Sequence, residues 1–395
     1  MGYYKENAWW TSPYNARNTD MPSAVPILHD ATLRDGEQTP GVVFSEEEKV
    51  VVAEKLVAAG VTRIEAGMPA VSDADFRAIT EIARKLPQAE IYAFTRAAKA
   101  DINMARDCGV RGVVIEVPIG YPKLKYQFKW TWEKAFEKSA ESILYAQQNG
   151  LRAVLFPYDA TRADEEDLEQ YLSHIAAEAP PESIGVVDTM GCALPSTIQY
   201  MVRWYKRILP GADIEVHCHN DFGQAVACEL AGMAAGANVL HACVNGLGER
   251  TGNASLEELA LNLNILMEMD TPYDLQKMTE LCETVEQFSG VPIASNKPFG
   301  GRQNYTRESG IGIDMVMEQP LAMFATDPRY FGRTASVVLG KKSGKASVQF
   351  FLEKMHRTAS DEQVAEILQQ VKHLGIRKKA LVTEQEFSEI LDKIL

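Results

Sequence analysis

The chain has 395 residues, 46% hydrophobic and 24% charged, with 54 acidic against 40 basic side chains and a formal net charge of −14. This balance fits a globular protein with a sizeable core, and the length fits one large domain plus a further part, or two to three domains. It argues against nucleic-acid or acidic-membrane partners. No apolar run approaches the ~20 residues of a membrane span, and the N-terminus lacks the pattern of a signal peptide. Six scattered cysteines with no CxxC pair read as reduced thiols, so a cytoplasmic protein is expected.

Residues 1–24 are rich in aromatic, Asn and Pro residues without a period and read as an N-terminal arm. Trp9 and Trp10 are too apolar to be left in water and are expected to pack on the body or on a neighbouring subunit. Beyond the arm, short apolar runs recur at 25–30, 62–67, 90–95, 112–118, 152–157, 184–189, 213–219 and 238–243. Helical spacing fills 46–59, 73–86, 133–149, 164–178, 195–208 and 223–235, and Gly60, Gly150 and Gly236 stand where a helix should stop. Strands alternating with helices require parallel pairing and right-handed crossovers. Eight such units predict an α/β fold, a (β/α)8 TIM barrel over 25–270. A doubly wound sheet is the weaker reading, because no G-x-G-x-x-G follows the first strand. Residues 271–395 read as a mainly helical C-terminal subdomain, with apolar spacing at 274–289 and two further helices at 361–373 and 383–394.

In a TIM barrel the chemistry lies where strands end. The first predicted strand leads into Arg34-Asp35-Gly36-Glu37, and the second ends in Glu65. The third ends in Thr95-Arg96, the fourth in Glu116, the fifth in Tyr158-Asp159 and the sixth in Asp188-Thr189. The seventh ends in His217-Cys218-His219-Asn220-Asp221. Two histidines two apart on a strand share a face. With Asp35 they make an oxygen-and-nitrogen set suited to a divalent ion, and Asn220 and Asp221 offer further oxygens. Arg34 is placed to hold a developing enolate or a carboxylate oxygen. Thr189 is placed to donate to a substrate carboxylate. Glu65 and Arg96 are further substrate-binding candidates, although rim hydrogen bonding explains Glu37 and Glu65 about as well.

Three segments, DATLRDGEQTPG at 30–41, HCHNDFGQA at 217–225 and GLGERTGNASLEEL at 246–259, together resemble the DRE-TIM metallolyases. Within that superfamily they look most like 2-isopropylmalate, homocitrate and citramalate synthases. ESGIGID at 308–314 and VLGKKSGKAS at 338–347 resemble the subdomain that follows the barrel in these enzymes. The resemblance implies that Asp35, His217 and His219, with Asn253 as a further ligand, bind Mg2+, Mn2+ or Zn2+. It implies that Arg34 stabilises an enolate, Glu37 holds the first loop and Thr189 binds substrate. It also implies a Claisen-type condensation of acetyl-CoA, or another acyl-CoA, with a small 2-oxo acid, carried out by a homodimer. The chain is too short for the long regulatory domain of feedback-controlled members, so no end-product inhibition through such a domain is expected.

The acid-base half departs from the pattern. Tyr158 stands where the condensing enzymes carry a glutamate, Val114 where they carry a histidine, and Arg307 where they have the histidine of His-Glu-Ser-Gly. Tyr158 and Arg307 are therefore altered acid-base candidates, although both titrate far above neutral pH. A second reading is a carbon–carbon lyase of the same fold, like the hydroxymethylglutaryl-CoA lyases. A third is a metal-binding scaffold without activity, against which Arg34 beside Asp35 argues.

Overall fold

The computed structural model describes residues 2–17 and 24–395, so part of the expected arm, 18–23, lies outside the described residues. The eight predicted runs form β1 (Ile27–Asp30), β2 (Arg63–Glu65), β3 (Glu90–Arg96), β4 (Gly112–Pro118), β5 (Arg152–Tyr158), β6 (Ser183–Asp188), β7 (Asp213–Cys218) and β8 (Val239–Ala242). They pair in parallel in chain order, and β8 pairs with β1 to close the barrel. The crossover helices are α1 (Glu46–Ala58), α2 (Asp73–Lys85), α3 (Lys99–Asp107), α4 (Trp132–Gln148), α5 (Glu165–Glu178), α6 (Pro195–Ile208), α7 (Ala225–Ala234) and α8 (Leu256–Leu261). Ser45, Ser72 and Asp164 each accept a backbone N–H of the first turn that follows, which fixes where α1, α2 and α5 begin. Neither α3 nor α8 has a side-chain cap of this kind, and neither was foreseen as a helix. Gly60 has φ of +89°, and a Cβ there would lie 2.1 Å from the Pro272 carbonyl oxygen, so the turn from α1 into β2 admits only glycine.

The period of two sorts the barrel interior into two sides. Tyr92 and Phe94 of β3, Val114 of β4, Val154 and Phe156 of β5 and Val187 of β6 form one apolar cluster. The facing strands β1, β2, β7 and β8 instead bury His29, Arg63, Glu65, Glu215, His217 and His241. Rings meet across the two sides, Phe156 lying 5.0 Å from His241 and Tyr92 5.6 Å from His29 between centroids.

The barrel unit continues to Ile293, past the expected limit of 270. The added helix α9 (Leu275–Ser289) buries Leu275, Met278, Leu281 and Val285, and Asp274 at its start donates its N–H to the Ala59 carbonyl. A periodic apolar helix does not itself say which body it covers, which is why spacing alone assigned α9 to the C-terminal part. The second unit joins the residues up to Arg17 with Ala294–Leu395. Its helices α10 (Ile313–Glu318), α11 (Lys345–Lys354), α12 (Asp361–Lys378) and α13 (Glu384–Ile394) include the two expected near 361–373 and 383–394. They enclose a core of Val316, Val348, Phe351, Ile367, Val371, Phe387 and Leu391. Trp9 is buried against Tyr330, and Trp10 donates its backbone N–H to Ala325 while its ring stays half exposed. Among the described residues no helix is long and apolar enough to cross a membrane.

Candidate metal centre and active site

Beneath the C-terminal rim lies a buried layer of charge. Glu215 of β7 accepts hydrogen bonds from Arg63 of β2 and Ser183 of β6, and its other oxygen lies 2.6 Å from His241 Nε2. His241 stacks on His29 with centroids 4.1 Å apart. Burial lowers the pKa of His241 to about 3, so it is neutral. Burial would raise Glu215, but Arg63 and His241 outweigh it and hold the carboxylate ionised. The layer ties five strands, β1, β2, β6, β7 and β8, across the barrel at the level from which the site rises. Glu229 of α7 adds a further tie, accepting the backbone N–H of Cys218 at 2.9 Å and of His241 at 3.2 Å.

One step towards the rim, the expected ligands converge. Asp35 Oδ2 lies 3.4 Å from His217 Nε2 and 3.8 Å from His219 Nε2. Donors that each sit about 2.1 Å from one ion are roughly 3 to 3.5 Å apart; the Asp35–His217 distance falls in that range and the Asp35–His219 distance just beyond it, so small side-chain shifts let the three share a cation. The Oδ1 atom of Asp35 is buried with no hydrogen-bond partner among the described residues. The same is true of Asn253 Oδ1, on the loop that bridges to His219 in antiparallel register. Asn253 Nδ2 donates to the Leu247 carbonyl at 3.0 Å, which leaves the oxygen as its free end. Buried oxygens without a protein partner beside two imidazoles suit a divalent cation. Burial lowers His219 to about 4, keeping it neutral, the form that ligates. Burial would raise Asp35, but Arg34 and the two histidines dominate and hold it well below the usual carboxylate range.

Arg34 is fixed from three sides. Its Nη1 donates to Asp35 at 3.1 Å, its Nε to Glu65 at 2.7 Å, and its guanidinium lies 4.3 Å from the centre of the Phe94 ring. Glu65 is fully buried, and although burial pushes its pKa up, Arg34 and His29 bring it down to about 2. Both Glu65 oxygens are thus occupied with Arg34, so Glu65 holds Arg34 in place. Glu37 lies on the loop side, accepting the Phe44 N–H at 2.9 Å and the Lys49 ammonium at 2.6 Å. Lys49 also pairs with Asp75, which ties the first loop to α2.

Thr189 Oγ1 accepts the Asp159 N–H at 2.7 Å and keeps its own proton to donate. Tyr158 stands at the end of β5, half-buried, with its pKa raised by burial and by the charges of Glu116 and Asp159. Three expectations fail locally. Asn220 gives its side-chain oxygen to the Ala225 N–H, and Asp221 pairs with Arg250 at 2.9 Å, so neither adds an oxygen to the cation site. Arg96 is not brought to the cluster: its side chain is 66% exposed and bound to Asp101. Arg307 belongs to the second unit, where it lies on a short strand paired with Ser336–Val337 and donates to the Ile311 carbonyl.

Glu116 is the residue that sequence reasoning saw at a strand end and did not use. Val114, two residues earlier, lies in the apolar interior cluster, so Glu116 points to the same interior face one layer nearer the rim. Among the described residues no hydrogen bond or ion pair holds its carboxyl. Burial raises its pKa to about 7; Arg34 opposes the shift, while Asp35, Glu65 and Glu249 add to it. The signal was available, since β4 is otherwise apolar and a lone glutamate at its rim end is costly without a use.

Comparison with known proteins gives the same picture. Residues 25–285 match the HMGL-like family, and 300–379 match the homocitrate synthase post-HMGL domain-like family. The chain is 38% identical to homocitrate synthase AksA of Methanocaldococcus jannaschii, over 100% of this chain and 97% of that protein. It is 37% identical to a probable 2-isopropylmalate synthase of Ignicoccus hospitalis, over 95% and 94% of the two chains. The solved hydroxymethylglutaryl-CoA lyase of Pseudomonas aeruginosa superposes with a TM-score of 0.62 at 18% identity, covering 70% of this chain and 97% of that one. This last likeness is one of fold.

Proposed function

Because this chain belongs to the HMGL-like family and carries the homocitrate-synthase type of C-terminal unit, we propose that it is a condensing synthase. It joins the methyl carbon of acetyl-CoA to the carbonyl of a 2-oxo acid and then releases the 2-hydroxy dicarboxylic acid by thioester hydrolysis. The observation that carries the reading is the convergence of Asp35, His217 and His219 with Arg34 on the same carboxylate. Asp35, His217, His219 and Asn253 would hold a divalent cation, Mg2+, Mn2+ or Zn2+, which when bound supplies Lewis-acid polarisation of the oxo-acid carbonyl.

The remaining work falls to this chain's own side chains. Arg34, locked by Glu65 and the Phe94 ring, presents fixed positive charge where an oxyanion develops. The Thr189 hydroxyl donates to the substrate carboxylate and so sets its orientation. Glu116, facing this space without a partner, takes the proton that leaves the methyl group, a task the family's usual residues do not perform here. Arg96 has no place in this scheme. We include in the proposal a cytoplasmic homodimer in which Arg307 reaches the neighbouring barrel.

The cleavage reading has less support, since the lyase likeness is one of fold and synthases are the full-length relatives. Thiol release with Ellman's reagent tests the matter, using acetyl-CoA, Mn2+ and a panel of 2-oxoisovalerate, pyruvate, 2-oxoglutarate and oxaloacetate. We expect release that depends on one oxo acid and is lost in His217→Ala. A protein that binds Mn2+ yet releases no thiol with any of the four would refute condensation of these acceptors.

A further inference from the structure

Between β4 and α4 the chain reads Tyr121-Pro122-Lys123-Leu124-Lys125-Tyr126-Gln127-Phe128-Lys129-Trp130. Residues Lys123–Phe128 form a wide π-type turn, which Lys129 ends in the left-handed region with φ of 54°. Turns of this kind are uncommon and recur at functional sites. The segment follows the C-terminal end of a barrel strand, so it belongs to the face that carries the chemistry.

Its charge is unusual for this protein. The chain has a net charge of −14, and the next lysines along, Lys134 and Lys138 of α4, pair with Glu137 and Glu141. Among the described residues no carboxylate pairs with Lys123, Lys125 or Lys129. Lys125 donates instead to the Tyr121 hydroxyl at 2.6 Å and lies 5.4 Å from the Tyr126 ring centre. Tyr126 is 69% exposed. The lip is also continuous with the site: Lys123 Nζ is 5.9 Å from the Tyr158 ring centre, and the Phe128 and Tyr158 rings are 6.4 Å apart. Tyr158 in turn feels the charge of Glu116, and Glu116 that of Arg34 and Asp35.

Unpaired cations interleaved with exposed aromatic faces suit a ligand that is both polyanionic and planar. We propose that this lip binds the phosphorylated adenosine diphosphate end of coenzyme A, the lysines taking its phosphates and the tyrosine faces its adenine. The inference rests on the condensing reading, which supplies the acyl-CoA. It adds the place where the nucleotide lies while the acyl group reaches the Asp35 cluster.

The test measures binding by calorimetry on the whole protein, with coenzyme A and with pantetheine, which lacks the nucleotide. The wild type should bind coenzyme A at least tenfold more tightly, and the gap should shrink as salt rises. In Lys123→Ala/Lys125→Ala/Lys129→Ala the gap should close to within twofold, and Tyr126→Ala should narrow it. All four side chains lie on the surface turn and outside the buried core. A triple variant that keeps the tenfold gap overturns the proposal, as does a wild type that binds both ligands equally. Wild-type thiol release from acetyl-pantetheine separates the two readings. Release there keeps condensation even if the lip fails. Tight coenzyme A binding at the lip without release from any thioester fails condensation alone.

Discussion

Glu65→Gln isolates the element on which the site stands. Glu65 is fully buried and gives both oxygens to Arg34, whose side chain is itself only 8% exposed. A pKa of about 2 against an ordinary 4.5 corresponds to about 3 kcal/mol favouring the charged carboxylate in the folded protein. Removing one partner of a buried ion pair costs roughly 3 to 5 kcal/mol, which agrees. Glutamine keeps the shape and one hydrogen bond, so the lower end, about 3 kcal/mol, is expected. The sign in pH follows from the depressed pKa. The contribution is whole above about pH 4.5 and is lost as pH falls towards 2, so the wild type loses this stability in acid and the variant has none to lose. Denaturant unfolding followed by tryptophan fluorescence at pH 7 and at pH 4 measures both. A variant within 0.5 kcal/mol of wild type at pH 7 would show that Arg34 is held by Asp35 and Phe94 alone. Because Arg34 would then draw harder on Asp35, Mn2+ affinity should fall in the same variant.

Asp35→Ala should abolish thiol release and also the stabilisation that a cation confers, about 2.7 kcal/mol at a hundredfold excess over Kd; melting with and without Mn2+ reads this directly. Glu116→Gln should cut kcat by about a hundredfold and leave Mn2+ binding intact. In the wild type kcat should climb with pH through a limb at or below 7, since the carboxyl must be ionised to accept a proton and a bound cation lowers its pKa; a limb that survives in the variant would acquit Glu116. Gly252→Ala would place a Cβ 1.8 Å from the Gly246 carbonyl at φ of +80°. That loop should be forced to move, costing more than about 1 kcal/mol and displacing Asn253, read as weaker Mn2+ binding.

The barrel was legible because eight apolar runs alternate with helical spacing, and a parallel sheet leaves few other arrangements. The cluster of Asp35, His217 and His219 was legible because His217 and His219 share a strand face and Asp35 sits at another strand's end. The polar floor was not: His29, His241 and Glu215 lie inside otherwise apolar runs, and only the closed ring shows that they meet. Asp221 misled because adjacency in sequence says nothing of Arg250, which approaches from the next strand's loop. Arg96 misled because α3 was not foreseen, and Asp101, which claims its guanidinium, lies on that helix. Glu116 was visible but unweighted, since its importance comes from what fails to pair with it.

The second unit is stitched from both ends of the chain: Trp9 bridges to Thr326, and Asn7 meets Arg329 at a separation of 322 residues. During synthesis the leading segment therefore leaves the ribosome long before its partner strand exists. The barrel, whose neighbouring strands are consecutive, has all its pairings available by the time Ala242 emerges. Until Tyr330 follows, the Trp9 ring lacks the aromatic partner it packs on, which makes these aromatic residues a natural point of chaperone capture.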